Sequence, residues 1–170
     1  MKNAFLLLST ALVAAALLSA ETDSGAIAKL AAYAGTWKLE VEHLATPSSK
    51  ASKETSTVRN DCWRSAGFYA CNQFVEGESK ALIVFTYDAK SDAYHTNVVA
   101  PDGSSAGSGK LLITGNTWIY PWEETENGKT TYYRVVNVFT ASDTIQYSRE
   151  SSPDKVTWTA SAKGLEKKQN

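Results

Sequence analysis

Residues 36–44, TWKLEVEHL, alternate cleanly. Trp37, Leu39, Val41 and His43 fall on one face, and Lys38, Glu40 and Glu42 on the other. That period of two is the pattern of a strand with one face buried. Further strand-like runs follow at 54–64, 68–76, 81–88, 93–100, 105–114, 117–125, 129–140, 144–151 and 155–165. Turn-forming residues separate the runs: Glu76-Gly77, the 88–92 stretch, the 101–103 stretch, Gly115-Asn116, Asn127-Gly128, Ser142-Asp143 and Pro153-Asp154. One early stretch has a helical period instead. Ser24 can cap a run in which Ile27, Leu30, Ala31 and Ala34 recur at i, i+3, i+4 and i+7, and Gly35 ends it. Short connections without helical crossovers make the sheet an antiparallel meander. Ten strands with one terminal helix predict an all-β protein: a closed antiparallel up-and-down barrel, one end capped by a short helix. Closure removes the exposed edges; a two-sheet β-sandwich is the competing architecture.

Two dipeptides set registers. Asn127-Gly128 favours a type I′ hairpin turn, so paired positions sum to 255. Trp122 then opposes Tyr133, Tyr120 opposes Val135 and Trp118 opposes Asn137 on one face. That face carries more aromatic area and is assigned to the interior. Tyr132 and Arg134 fall on the other face, pointing outward. Pro121 cannot donate to a ladder, so a bulge or local opening is expected beside it. If Ala66-Gly67 is likewise a two-residue loop, Cys62 and Cys71 face each other at a non-hydrogen-bonded position, where Cα atoms lie close. That approach falls within disulfide range.

The N-terminus bears on those cysteines. MKNAFLLLSTALVAAALLSA has one basic residue, an apolar run from Ala4 to Leu18 and small residues at Ser19-Ala20. This is the layout of a secretory signal peptide over residues 1–20, leaving 21–170 as a single domain that begins at Glu21. Cleavage after Ala16 is an alternative, and an uncleaved anchor is the rival reading, with the run near the ~17-residue lower limit for spanning. An exported chain is periplasmic or secreted, and paired cysteines cross-link there. Zinc would need further ligands, and 60–73 contains no histidine. The pair is therefore expected to form a structural cross-strand disulfide.

Charge and composition narrow the partners. The formal charge is −1 over the whole chain, from 17 basic and 18 acidic residues. No basic patch stands out, which argues against nucleic acid. Five Trp and eight Tyr make the chain rich in aromatics. His43 and His95 are its two histidines, and no Ser-His-Asp order or metal-ligand cluster surrounds them. His43 has the inward parity near the end of its strand. Glu123 and Glu124 are adjacent, so they point to opposite faces and cannot act as a carboxyl pair. Tyr147 and Arg149 share a face, as Tyr132 and Arg134 do. An Arg with a Tyr hydroxyl inside a barrel can hold a carboxylate. The parity of Arg59, Asn60 and Asp61 stays open, since neither face of their run is cleanly apolar.

The helix leading into Gly35-Thr36-Trp37 resembles the Gly-x-Trp start of lipocalins and other calycins. GTWKLEVE, ETSTVRNDCW and FTYDAKSDAYHTNVVAPDGS together resemble a secreted bacterial family of lipocalin-like β-barrels, over roughly residues 27–165. The resemblance implies a barrel and a cavity, and no established activity. It makes Gly35 and Trp37 structural, and implies an arginine from the final strand over Trp37. Lys163 is on offer there, with Arg149 one strand earlier. Some similar barrels bind haem through a late histidine, which KVTWTASAKGLEKK lacks; no cofactor and no metal are expected.

The expected function is binding of a small apolar or amphipathic molecule in the cavity of an exported barrel. The expected contacts are Trp118, Tyr120, Trp122, Tyr133, His43, Tyr147 and Arg149, with no catalytic residue among them. One rival is an envelope structural or interaction protein with a filled barrel; the other is an enzyme using His43. A filled core predicts large inward residues on every strand. A cavity predicts small or polar ones deep inside, such as Ala100, Gly107, Ala160 and Ala162.

Overall fold

Ten antiparallel strands close into one barrel, each pairing with its neighbours in chain order and the last with the first. They are β1 (Gly35–His43), β2 (Ser52–Arg64), β3 (Tyr69–Val75), β4 (Glu78–Asp88), β5 (Ala93–Val99), β6 (Ser105–Thr114), β7 (Thr117–Glu126), β8 (Lys129–Ala141), β9 (Thr144–Ser152) and β10 (Thr159–Lys168). The computed structural model describes residues 25–46 and 49–169. The expected signal peptide and the cap residue Ser24 lie outside the described residues. Among the described residues no helix is long and apolar enough to cross a membrane.

Both hairpin registers hold. Trp122 pairs with Tyr133 and Trp118 with Asn137, across a turn in which Asn127 and Gly128 take φ of 50° and 76°. Cys62 pairs with Cys71, and the two form a disulfide with Cα atoms 4.0 Å apart. The Ser65 N–H donates to the Phe68 carbonyl at 3.0 Å and closes that hairpin. Beside Pro121 the β7–β8 ladder runs without a bulge, and the opening is on the other side. β6 and β7 pair only at Leu112–Ile119, Ile113–Trp118 and Thr114–Thr117. Counted from the closing 126/129 pair, the backbone nitrogen at 121 points away from β8 and toward β6. Proline therefore costs the β8 ladder nothing and stands where β6 pairing has ceased.

The N-terminal segment plugs one end of the barrel. Residues 25–29 make an α-helical turn that tightens into a 3-10 turn at Leu30–Tyr33. Ala26, Ile27 and Leu30 are buried against Tyr69, Phe85, Tyr94, Leu111 and Trp118. The barrel also satisfies the segment's carbonyls. Tyr94 Oη donates to the Ala26 carbonyl at 2.8 Å, and the Tyr33 carbonyl accepts Trp37 Nε1 at 3.0 Å and Asn60 Nδ2 at 3.3 Å. The chain then turns into β1 at Gly35, whose φ of +111° is open to glycine and strained for other residues.

The last strand departs from the expected 155–165. Asp154 accepts the backbone N–H groups of Val156 and Thr157, each at 2.8 Å, and Lys155 adopts φ 64°. These local bonds keep residues 153–158 in a loop folded over the outer face of β8. There Trp158 covers the Arg134 guanidinium at 3.9 Å, and Arg134 pairs with Glu150 at 2.6 Å. The later start changes which side chains matter. Lys163 pairs across from Glu42 on the outer face, and Lys168, not Lys163, lies over the Trp37 ring at 5.3 Å. An irregularity between Ala160 and Ala162 sets Ala160 opposite outward-facing Glu150, whereas Ala162 is buried inside. Ala100 lies past the end of β5, and Gly107 pairs with inward-facing Val98.

Candidate functional site

Alternation along the ten strands builds an interior with three levels. At the plugged end it is solid. Trp37, at 1% exposure, and Trp118, at 4%, pack with Phe139, whose ring lies 6.4 Å and 4.8 Å from theirs. Tyr33 descends from the helical turn to within 5.0 Å of the Trp118 ring.

Above this floor lies a cavity of about 250 Å³, lined by Tyr33, Asn60, Cys71, Gln73, Ile83, Phe85, Thr96, Val98 and Tyr120. Its β4–β5 side, with Ile83, Phe85, Thr96 and Val98, is mostly apolar. Its other side carries amides and phenols. Asn60, inward and 5% exposed, accepts Gln73 Nε2 at 3.3 Å, while Arg59 and Asp61 point outward and pair with each other at 3.2 Å. Asn137 Nδ2 donates to the Tyr33 hydroxyl, and the Tyr33 and Tyr120 hydroxyls are bonded to each other. Burial pushes both phenols up, and the charge of Glu166 raises both further. Glu166 projects from β10 into the interior between Leu39 of β1 and Ile145 of β9. Burial raises its carboxyl to about 7.

The third level is the mouth, at the end opposite the plug. Trp122 and Tyr133 stack with centroids 5.3 Å apart, and the Arg149 guanidinium lies 5.5 Å from the Trp122 ring. His43 meets Glu54 at 3.2 Å, both side chains about half exposed.

The residues expected to contact ligand are thus spread over all three levels. Tyr120 lines the cavity, Trp118 belongs to the floor, and Trp122, Tyr133, His43 and Arg149 stand at the mouth. Tyr147, between Asn137 and Gly164, is half-buried, and its phenol is raised first by burial. Sequence patterning missed Tyr33, which sits off the apolar stripe of the helical run. It also missed Glu166, one residue beyond the expected end of the last strand. The four wall residues Ile83, Phe85, Thr96 and Val98 were legible as the inward parity of two strands, but nothing marked them as lining a void. Among the described residues no group of three or more His, Cys, Asp or Glu is placed to hold a metal.

Comparison with protein-family models gives no match, and comparison with curated proteins gives none either. Among solved structures, that of Rv2717c from M. tuberculosis aligns at 12% identity, over 85% of this chain and 98% of that one, with a TM-score of 0.47. A likeness that slight does not bear on function. The fold itself, a closed ten-stranded antiparallel barrel with an N-terminal plug, is of lipocalin-like form.

Proposed function

We infer that this is an exported lipocalin-like barrel that binds a small, partly apolar molecule in its interior. The observation that carries the reading is the 250 Å³ cavity, with Ile83, Phe85 and Val98 on one side and the amides and phenols of Asn60, Gln73, Tyr33 and Tyr120 on the other. An apolar wall facing a few fixed polar groups is the usual make-up of a small-molecule site. The volume lies below the ~300–1,000 Å³ of sites for drug-sized ligands, which favours a compact molecule over a long acyl chain. The Cys62–Cys71 disulfide supports an oxidising compartment, and the 1–20 segment supports export with residues 21–170 as the mature domain.

Two measurements test this. Titration with an apolar fluorescent probe should quench tryptophan emission at micromolar concentration, and native mass spectrometry of protein from its own envelope should show a co-purifying small molecule. If wild-type protein binds neither a probe nor any small apolar acid, amine or alcohol, the cavity reading is wrong. The envelope-interaction reading then takes its place, which the packing of Trp118 under Tyr33 and Phe139 already favours for the lower barrel. Export is checked separately by sequencing the N-terminus, which should begin at Glu21. An intact Met1 in the cytosolic fraction would overturn it.

A further inference from the structure

No charged side chain stands among the described residues that line the 250 Å³ cavity, and Glu166, the buried carboxyl of β10, is not one of them. An ion placed there would lose its hydration and meet no counter-ion, which is costly. The polar groups of the wall are not equally free. Asn60 is engaged at both ends of its amide: Nδ2 donates to the Tyr33 carbonyl at 3.3 Å, and Oδ1 accepts Gln73 Nε2 at 3.3 Å. The phenols are in a different position. Tyr33 Oη takes a hydrogen bond from Asn137 Nδ2, so its own proton is left to give. Asn137 Oδ1, buried on that same amide, receives no hydrogen bond and so takes neither phenol's proton. Tyr33 and Tyr120 carry two hydroxyl protons, and a bond between their oxygens uses one of them. At least one O–H is therefore left over from these contacts, on rings that both line the cavity. Facing them are Ile83, Phe85 and Val98, which offer only hydrocarbon.

We propose that the cavity takes a compact, uncharged molecule with an acceptor oxygen at one end, such as the carbonyl of a ketone, ester or lactone. The oxygen accepts from the Tyr33 and Tyr120 hydroxyls, and the hydrocarbon part lies against Ile83, Phe85 and Val98. This rests on the cavity reading above and names the ligand class for that cavity. A buried donor without a partner is costly, and a neutral acceptor fills it without bringing a charge into the interior. A carboxylate accepts the same proton but is then buried with no cation in the wall. An ammonium brings three donors and no acceptor to a wall without a carboxylate. Both ions are therefore disfavoured by the residues that exclude each of them, and the uncharged acceptor is the class that remains.

The test uses four probes of similar size: benzylacetone, hydrocinnamate, phenethylamine and butylbenzene. By calorimetry at neutral pH, benzylacetone should bind at least about tenfold more tightly than the acid or the amine. The infrared carbonyl stretch of bound, isotope-labelled benzylacetone should lie below its position in a hydrocarbon solvent, because the oxygen accepts a hydrogen bond. Combining Tyr33→Phe with Tyr120→Phe keeps both rings and removes both hydroxyls. The double variant should return the stretch to its hydrocarbon position and lower the ratio of benzylacetone to butylbenzene affinity by at least about threefold. If that variant does not fold, the wild-type stretch decides the point by itself. The proposal is overturned, while the cavity stands, if a charged probe binds as tightly as benzylacetone or if butylbenzene binds and benzylacetone does not. An unshifted wild-type stretch, or a shift that survives the double variant, overturns it equally. If none of the four binds, the proposal is overturned, and the fluorescent-probe titration decides the cavity independently.

Discussion

A single buried carboxyl sets the pH behaviour expected of this protein. Glu166 titrates at about 7 when folded because burial disfavours its charge, against ~4.3 for a free glutamate side chain. The folded state therefore holds a proton that the unfolded chain gives up first. The stability this contributes is present below the unfolded value and is lost as pH rises through the folded one. Between about pH 4.5 and 7.5 the cost reaches on the order of 3 kcal/mol. Glu166→Gln should melt like wild type near pH 4 and be more stable by about that amount at pH 8. Parallel melting curves at both pH values would show that the carboxyl is solvated and the interior open. Trp37 gives a second prediction at this scale. It is almost fully buried, under Lys168 and against Phe139, with its indole N–H on the Tyr33 carbonyl. Trp37→Ala should cost ~3–5 kcal/mol by denaturant unfolding; a loss under ~1 kcal/mol would mean that the plug and floor repack without it.

The hairpins carry their own tests. Cys62 and Cys71 join neighbouring strands, and Cys71 lines the cavity. Thiol titration of denatured, unreduced protein should find no free thiol. Replacing both cysteines with Ala should cost ~2–3 kcal/mol, since the closed loop is short. The β7–β8 hairpin separates floor from mouth within one strand. Trp118 and Trp122 share a face, but Trp118 is buried and Trp122 half-buried. Trp118→Ala should lose several kcal/mol, as large buried aromatics do. Trp122→Ala should stay within ~1 kcal/mol and lessen quenching by a bound probe. Equal losses at the two sites would mean that the barrel is filled to its mouth. Both registers were legible before the structure, because a two-residue turn with Asn127-Gly128 leaves one pairing that buries the aromatic face. The bounds of the last strand were not. Its hydrophobic pattern is weak, and the Asp154 side chain captures the backbone N–H groups that a strand starting at 155 would have used.

For the molecule as a whole, closure is what makes a cavity available. Each strand alone has a modest inward face; arranged in a ring with a plug at one end, those faces enclose a floor, a void and a mouth. The wall is least continuous between β6 and β7, where pairing stops at Leu112–Ile119. Tyr120 lies just beyond that point, lining the cavity beside the unpaired stretch. Because every strand pairs on both sides and the plug is bonded to β1, β2 and β5, the described barrel should unfold in one cooperative transition. Far-ultraviolet circular dichroism and tryptophan fluorescence should give coincident melts. A separate early fluorescence transition would show the plug leaving first.

Local pattern determined a good deal of this protein. Period-two alternation named all ten strands, turn chemistry set two registers, and those registers placed Cys62 against Cys71 and Trp118, Tyr120 and Trp122 on the inner face. These features depend on residues within a few positions of one another, so the chain carries them in readable form. The contents of the interior depend on residues that meet across the barrel. Tyr33 inserts from the plug beside Asn137, 104 residues away, and Lys168 reaches Trp37 because β10 starts late and ends late. Glu166 looks in the sequence like one more solvated charge in GLEKK. Ring closure places it opposite Leu39 and Ile145, 8% exposed and without an ion pair among the described residues. Burial is a property of the assembled barrel, and only the tertiary structure turns an ordinary glutamate into the group on which the pH response rests.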